Sequence, residues 1–146
     1  MSLDGVYEDD NIFAKIVRGE IPAARICEDD KTLAFMDAFP QSRGHVLIVH
    51  KTSRARNLLD VEPDALSAIM ATTQTVARAV RQALQPDGIM VAQFNGSASG
   101  QTVYHLHVHI IPRWADVPLG RHGGGAMADM NELSALARQI ADRLES

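Results

Sequence analysis

The chain has a single cysteine, Cys27, in 146 residues. An intramolecular disulfide is therefore impossible and a cysteine-based zinc cage cannot assemble, so a reducing compartment is the natural expectation. Basic charge is also in short supply: 14 Lys and Arg face 18 Asp and Glu, for a formal net charge of -4. That excludes a nucleic-acid binder built on a broad basic face, because neutralising phosphates takes clustered Lys and Arg. No apolar run approaches the ~20 residues that cross a bilayer. The first ten residues carry Asp4, Glu8, Asp9 and Asp10 and lack the basic-then-apolar order of a secretion signal. The expectation is a cytoplasmic protein with a flexible arm over 1–10 and one domain over 11–146, with neither membrane nor nucleic-acid partner.

What is present organises that domain. Asn11 caps a predicted short helix from Ile12 to Arg18, which Gly19 stops. Two strands follow, Ala24 to Glu28 and Thr32 to Asp37, joined at Asp29-Asp30, and His45 to His50 reads as a third. Pro63 suits the first turn of a helix running to about Leu84, with an apolar stripe of Leu66, Ile69, Met70, Thr73, Val76, Ala77 and Val80. Ile89 to Phe94 and Val103 to Ile111 are the fourth and fifth predicted strands, the latter ended by Pro112. A last helix starts near Asp129 or Asn131 and runs to Leu144. Grouped strands without βαβ alternation predict an α+β fold with about five antiparallel strands.

Half of the six histidines lie in five residues, His105 to His109. On one strand His105, His107 and His109 would project together, ~7 Å apart, while Leu106, Val108 and Ile110 face the core. Packing gives no reason to choose imidazole three times. Three readings stay open on spacing alone: a structural cluster, a zinc site and metal-free catalysis. His-x-His presents two zinc ligands, yet no Asp or Glu lies between Asp87 and Asp116. The preceding loop, Asn95 to Thr102, is small and polar, suited to wrapping an anion with backbone amides or simply to connecting elements. Imidazole with a pKa near ~6.5 is mostly neutral at pH 7 and available as a nucleophile. A central histidine attacking phosphorus would give a phospho-histidine that water hydrolyses, with its neighbours donating hydrogen bonds or a leaving-group proton.

HLHVHII, preceded by GQTVY, resembles the His-x-His-x-His-x-x signature of the histidine triad (HIT) superfamily. IFAKIVRGEIPA and LAFMDAFPQSRGHVLIVHK are similar to its Hint-like branch of nucleoside phosphoramidate hydrolases, and the likeness runs from about Asn11 to Arg113. The resemblance implies that His107 is the nucleophile forming a nucleotidyl-histidine, that His105 orients it, and that His109 meets the phosphate or leaving group. It implies that His45 supports the triad and that Asp37 binds ribose hydroxyls; alone, Asp37 is a turn residue before Pro40. Ile12, Phe13, Ile16, Phe35 and Ala38 would line a purine pocket, although as a bare pattern the Ile/Phe set is ordinary core. Gly100, Gln101 and Thr102 would contact phosphate. Phe94 stands where the family has a phosphate-contacting Asn, with Asn95 one place later.

The implied activity is metal-independent hydrolysis at the α-phosphorus of a purine nucleotide derivative, with no cofactor, in a homodimer. Pro112-Arg113 resembles the dinucleoside polyphosphate hydrolase branch instead, unless Arg113 is merely an exposed structural residue. A zinc-dependent hydrolase and a non-catalytic nucleotide-binding module are the alternatives from other classes. The Cys-x-x-Cys zinc site of some bacterial relatives is expected to be absent, since Asn11 and Ala14 stand there. Ala115 to Ala128, with Arg121 and His122, either borders the site and selects the leaving group or is a disordered surface loop.

Overall fold

The computed structural model describes residues 2–121 and 125–144. Residue 1, His122 with Gly123 and Gly124 of the glycine run, and 145–146 at the end of the expected domain lie outside the described residues. In chain order the elements are α1 (Ile12–Val17), β1 (Arg25–Glu28), β2 (Thr32–Met36), β3 (Val46–His50), α2 (Pro63–Leu84), β4 (Gly88–Ala92), β5 (His107–Arg113) and α3 (Met130–Ala141). All strand pairs are antiparallel, in the order β1-β2-β3-β5-β4. The expected α+β architecture is the one found.

Local chemistry accounts for most of the boundaries. The Asn11 side chain accepts a hydrogen bond from the Ala14 amide at 2.9 Å, an N-cap worth ~1 kcal/mol. Pro63 occupies the first turn of α2, which ends at Gln85 in the left-handed conformation, with Pro86 unable to extend it. Its buried face runs through Ile69, Thr73, Val76, Val80 and Leu84, whereas Met70 of the expected stripe points outward. The last helix starts where Asp129 accepts from the Glu132 amide, and stops at Ala141 rather than Leu144.

The sheet has two different faces. Alternate residues Ala34, Met36, Val46, Ile48, Val108 and Ile110 pack with α2 and α3 into the larger core cluster. The other parity, Leu33, Phe35, Leu47 and Val49, joins Phe13 and Ile16 of α1 in a smaller one. His107 and His109 have this second parity, so the helices hold β5 from behind while its imidazoles look to the α1 side. Burying each of Val108 and Ile110 is worth ~1.5–3 kcal/mol, which anchors the strand in one register.

The fifth strand is shifted from its expected span. It runs His107–Arg113, not Val103 to Ile111, so His105 precedes it. Long-range bonds divert the earlier residues: the Leu106 amide donates to the Ala55 carbonyl at 3.0 Å, and Gln101 Nε2 donates to the carbonyl of Arg56 at 2.7 Å. Pro112 does not end the strand, because it lies beyond Ile110, the last residue paired with β3, and continues opposite Ile89 of β4. Among the described residues no helix is long and apolar enough to cross a membrane.

Candidate active site

His107 and His109 stand on one face of β5 with ring centroids 5.0 Å apart, both buried. The expectation that all three imidazoles line up on a single strand needs correction: His105 lies in the bent approach, and its ring is held elsewhere. Its Nε2 is 3.0 Å from the His50 carbonyl, which can only accept, so the proton is on Nε2. Nδ1 of His105 must then accept from the Tyr7 hydroxyl at 2.7 Å. Burial pushes the His105 pKa down to about 4, so this ring is a neutral fixture at physiological pH.

The same bookkeeping of protons orients the other rings. His107 Nδ1 is 2.7 Å from the His105 carbonyl, so it carries the proton and Nε2 carries the lone pair. The Phe13 ring meets His107 edge-on at 4.8 Å and limits its swing. On the far side, the Gln41 amide donates to His45 Nδ1 at 3.0 Å, which puts the His45 proton on Nε2. That proton points at His109 Nδ1, 2.9 Å away, with Asp37 Oδ2 at 3.5 Å. His109 Nδ1 therefore accepts, and its own proton sits on Nε2. The arrangement presents a nucleophilic nitrogen on one ring and a proton donor on the next.

The remaining expected site residues have the following surroundings. Phe13, Ile16 and Phe35 are buried in the smaller cluster, while Ile12 is exposed. Ala38 packs toward the helix-side cluster. Asp37 Oδ1 accepts from the Phe39 amide at 2.8 Å, so this carboxylate is committed to its turn and to His45. Asn95 Oδ1 accepts from Leu58 N and Gln93 Nε2, both at 2.9 Å, and so ties two segments together. Phe94 takes the place beside the histidines, its ring 5.2 Å from that of His109.

The Gly/Ser loop is not an open cradle of amides, contrary to its composition. Gly96 and Gly100 adopt φ of 88° and 112°, which wind Ser97–Ser99 into a 3-10 turn. The amides of Gly96, Ser99, Gly100 and Gln101 are spent within the loop, and that of Ser97 on Ser2 Oγ. Gln101 is buried, with Oε1 on Gly96 and Nε2 on Arg56 and Val103, so it braces the loop from inside. Thr102 is exposed on a neighbouring cleft. Arg113 Nη2 reaches the Val117 carbonyl at 3.5 Å. Gly120 and Gln41 exchange two hydrogen bonds, and Ala128 N donates to the Ala38 carbonyl, which ties the segment after β5 beside His45.

Sequence reasoning missed Tyr7 and Gln41, each of which fixes a histidine. The residues expected to form a flexible arm make specific contacts here: Tyr7 with His105, Leu3 O with Asn57 Nδ2, and Asp9 with Arg54. No local pattern announces a partner 98 positions away. Asp37, His45 and His109 also bring three ligand atoms within 4.8 Å of one another, a set able to hold a metal ion.

The HIT domain model matches residues 18–116. A Hit-like protein from Bartonella henselae, described as involved in cell-cycle regulation and solved with an unknown ligand, superposes with a TM-score of 0.90 at 44% identity, over 96% of this chain and 100% of that one. A zinc-bound histidine triad family protein from Mycobacterium smegmatis gives 0.77 at 34% identity, over 92% and 94%. The adenylylsulfatase HINT3 of Arabidopsis thaliana is 33% identical over 138 residues, 90% of this chain and 70% of the relative. On a shared signature, fold and length, the chain belongs to the HIT family.

Proposed function

We propose that the protein is a nucleotide hydrolase of the Hint-like branch, attacking the α-phosphorus of purine nucleoside phosphoramidates or related AMP derivatives through His107. The observation that carries the reading is the His107 tautomer: the His105 carbonyl takes the Nδ1 proton and leaves the lone pair on Nε2. Nε2 forms a bond to phosphorus as the P–N or P–O bond to the leaving group breaks. The departing atom takes the proton on His109 Nε2. Water then attacks the nucleotidyl-histidine, the P–Nε2 bond breaks, and one water proton returns to His109. His107→Ala should lower turnover by at least ~10³-fold while AMP binds within about tenfold of wild type. Undiminished hydrolysis by that variant would remove the mechanism. AMP binding with no turnover of any substrate by the wild type would favour the non-catalytic module.

Metal dependence is a separate matter, and two observations favour the zinc-dependent reading over a metal-free one. One is the Asp37, His45 and His109 cluster; the other is that the Mycobacterium smegmatis relative is zinc-bound. Two imidazoles and a carboxylate fit the three-ligand set of catalytic zinc. An ion there would polarise a phosphoryl oxygen as a Lewis acid. It would have to displace the His45 Nε2 proton, so loading should weaken as pH falls. Metal analysis of purified protein, with chelation and zinc restoration, decides: stoichiometric zinc with activity lost and regained supports this reading, and full turnover in metal-free protein sinks it.

We also propose a homodimer built on β4, the strand at one edge of the sheet. Exposed Val91 of that strand lines an apolar groove of about 200 Å³ with Leu58, Met70 and Leu106, a surface that a second copy would cover. Val91→Lys should shift the protein toward monomer in sedimentation.

A further inference from the structure

A cleft between the N-terminal arm and the approach to His105 holds a charge that the chemistry above does not use. It measures about 560 Å³ and runs between the arm and α1 on one side and the residues leading into His105 on the other. Arg56 lines it, only 9% exposed, and among the described residues its Nε and Nη1 are buried without a hydrogen-bond partner. Its guanidinium carbon sits 4.6 Å over the Tyr104 ring. The main chain of Arg56 is fixed at both ends, its amide on the Asp60 carboxylate and its carbonyl on Gln101 Nε2. Gly5 of the arm also passes close by, and a Cβ there would come within 2.7 Å of Nη1.

A buried guanidinium with two unanswered donors is costly, and such donors are retained where an acceptor arrives. Two of the residues lining the cleft adjoin, along the chain, the groups that hold the nucleophile. Tyr104 directly precedes His105, whose carbonyl orients His107, and Ile12 directly precedes Phe13, whose ring touches His107. The rim sets the charge that fits. Asp4 and Glu8 stand exposed at the mouth, so a polyphosphate chain would pass two carboxylates, whereas a single oxyanion meets the arginine at depth.

We propose that this cleft is a leaving-group subsite in which Arg56 receives one oxyanion, a carboxylate or a sulfate, carried by the group that departs from phosphorus. The inference rests on the hydrolase reading. A small shift of the Gly5 backbone opens Nη1 to an incoming oxygen, which it binds through one charge-assisted hydrogen bond, while Nε points to the other edge of the guanidinium.

The test uses the full chain and three AMP conjugates: an N-linked amino acid with a free carboxylate, the same conjugate as its neutral amide, and adenosine 5′-phosphosulfate. In wild type the carboxylate conjugate should exceed the amide in kcat/KM, and Arg56→Gln should lower that ratio by tenfold or more, with Arg56→Lys between. The sulfate conjugate, read the same way, shows which oxyanion is preferred. An unchanged ratio overturns the proposal. Should Arg56→Gln fail to fold, the double variant Asp4→Asn with Glu8→Gln decides instead: a ratio raised about threefold supports the subsite and a constant ratio removes it. If wild type hydrolyses none of the three, the hydrolase reading falls, and the same ratios taken from Kd by calorimetry still judge Arg56.

Discussion

His105 and His109 flank the same nucleophile yet are built as opposites. His105 precedes the strand and has both ring nitrogens occupied, one on a backbone carbonyl and one on the Tyr7 hydroxyl, with its pKa pushed down to about 4. His109 lies on the strand, and the chain from Gln41 through His45 aims a proton along its ring. One is a bracket for backbone; the other is a relay. Identical residues two apart on either side of His107 thus acquire different jobs from their hydrogen-bond partners, not from their place in the signature.

Removing the relay should cost most. His109→Ala is expected to lower kcat about 10²–10³-fold with an amine leaving group, which must be protonated, and far less with a phenolate that departs as an anion. Equal losses on both substrates would mean that His109 acts on the phosphate or on the fold instead.

The bracket should show itself in stability against pH. A histidine held at about 4 in the fold and near 6.5 when unfolded binds its proton more readily in the unfolded chain. Its contribution is therefore intact above pH 6.5 and is lost as pH falls toward 4, by ~3 kcal/mol at most. Urea unfolding across that window should show the slope, and His105→Asn should flatten it. A slope unaltered by that change would place the acid sensitivity elsewhere.

Tyr7 sharpens the contrast with a smaller effect. Tyr7→Phe should cost ~0.5–1.5 kcal/mol and lower kcat a fewfold, because the hydroxyl holds His105 and only through it the His107 carbonyl partner. The hydroxyl also favours the neutral ring, so its loss should let the His105 pKa rise. An NMR titration in which that pKa stays put would reduce Tyr7 to a packing residue.

The contrast also marks how far sequence reasoning reaches. The bounds of α2 were legible because proline at its start and the break at Gln85-Pro86 are local chemistry, and the two-sided sheet followed from alternation in residues such as Leu47 and Ile48. The grouping of His107 and His109 was legible in the signature, and that of His45 with them through the family resemblance. The start of β5 was not, because Ala55, His50 and Tyr7 pull Leu106 and His105 aside across wide sequence gaps. Neither was the bond of Asn95, one place after the position where the family pattern has its Asn, to the Leu58 amide. Arg56 carried no signal, since burial and an arm laid against it are properties of the folded chain alone.

The bond between His107 Nε2 and phosphorus can be looked for directly. Acid-free quenching of protein mixed with an α-³²P-labelled AMP phosphoramidate, followed by peptide mapping, should place label on the peptide bearing His107, stable to base and lost in acid. Label on another peptide, or turnover proceeding with none at any time point, would contradict the assignment of His107 as the attacking group.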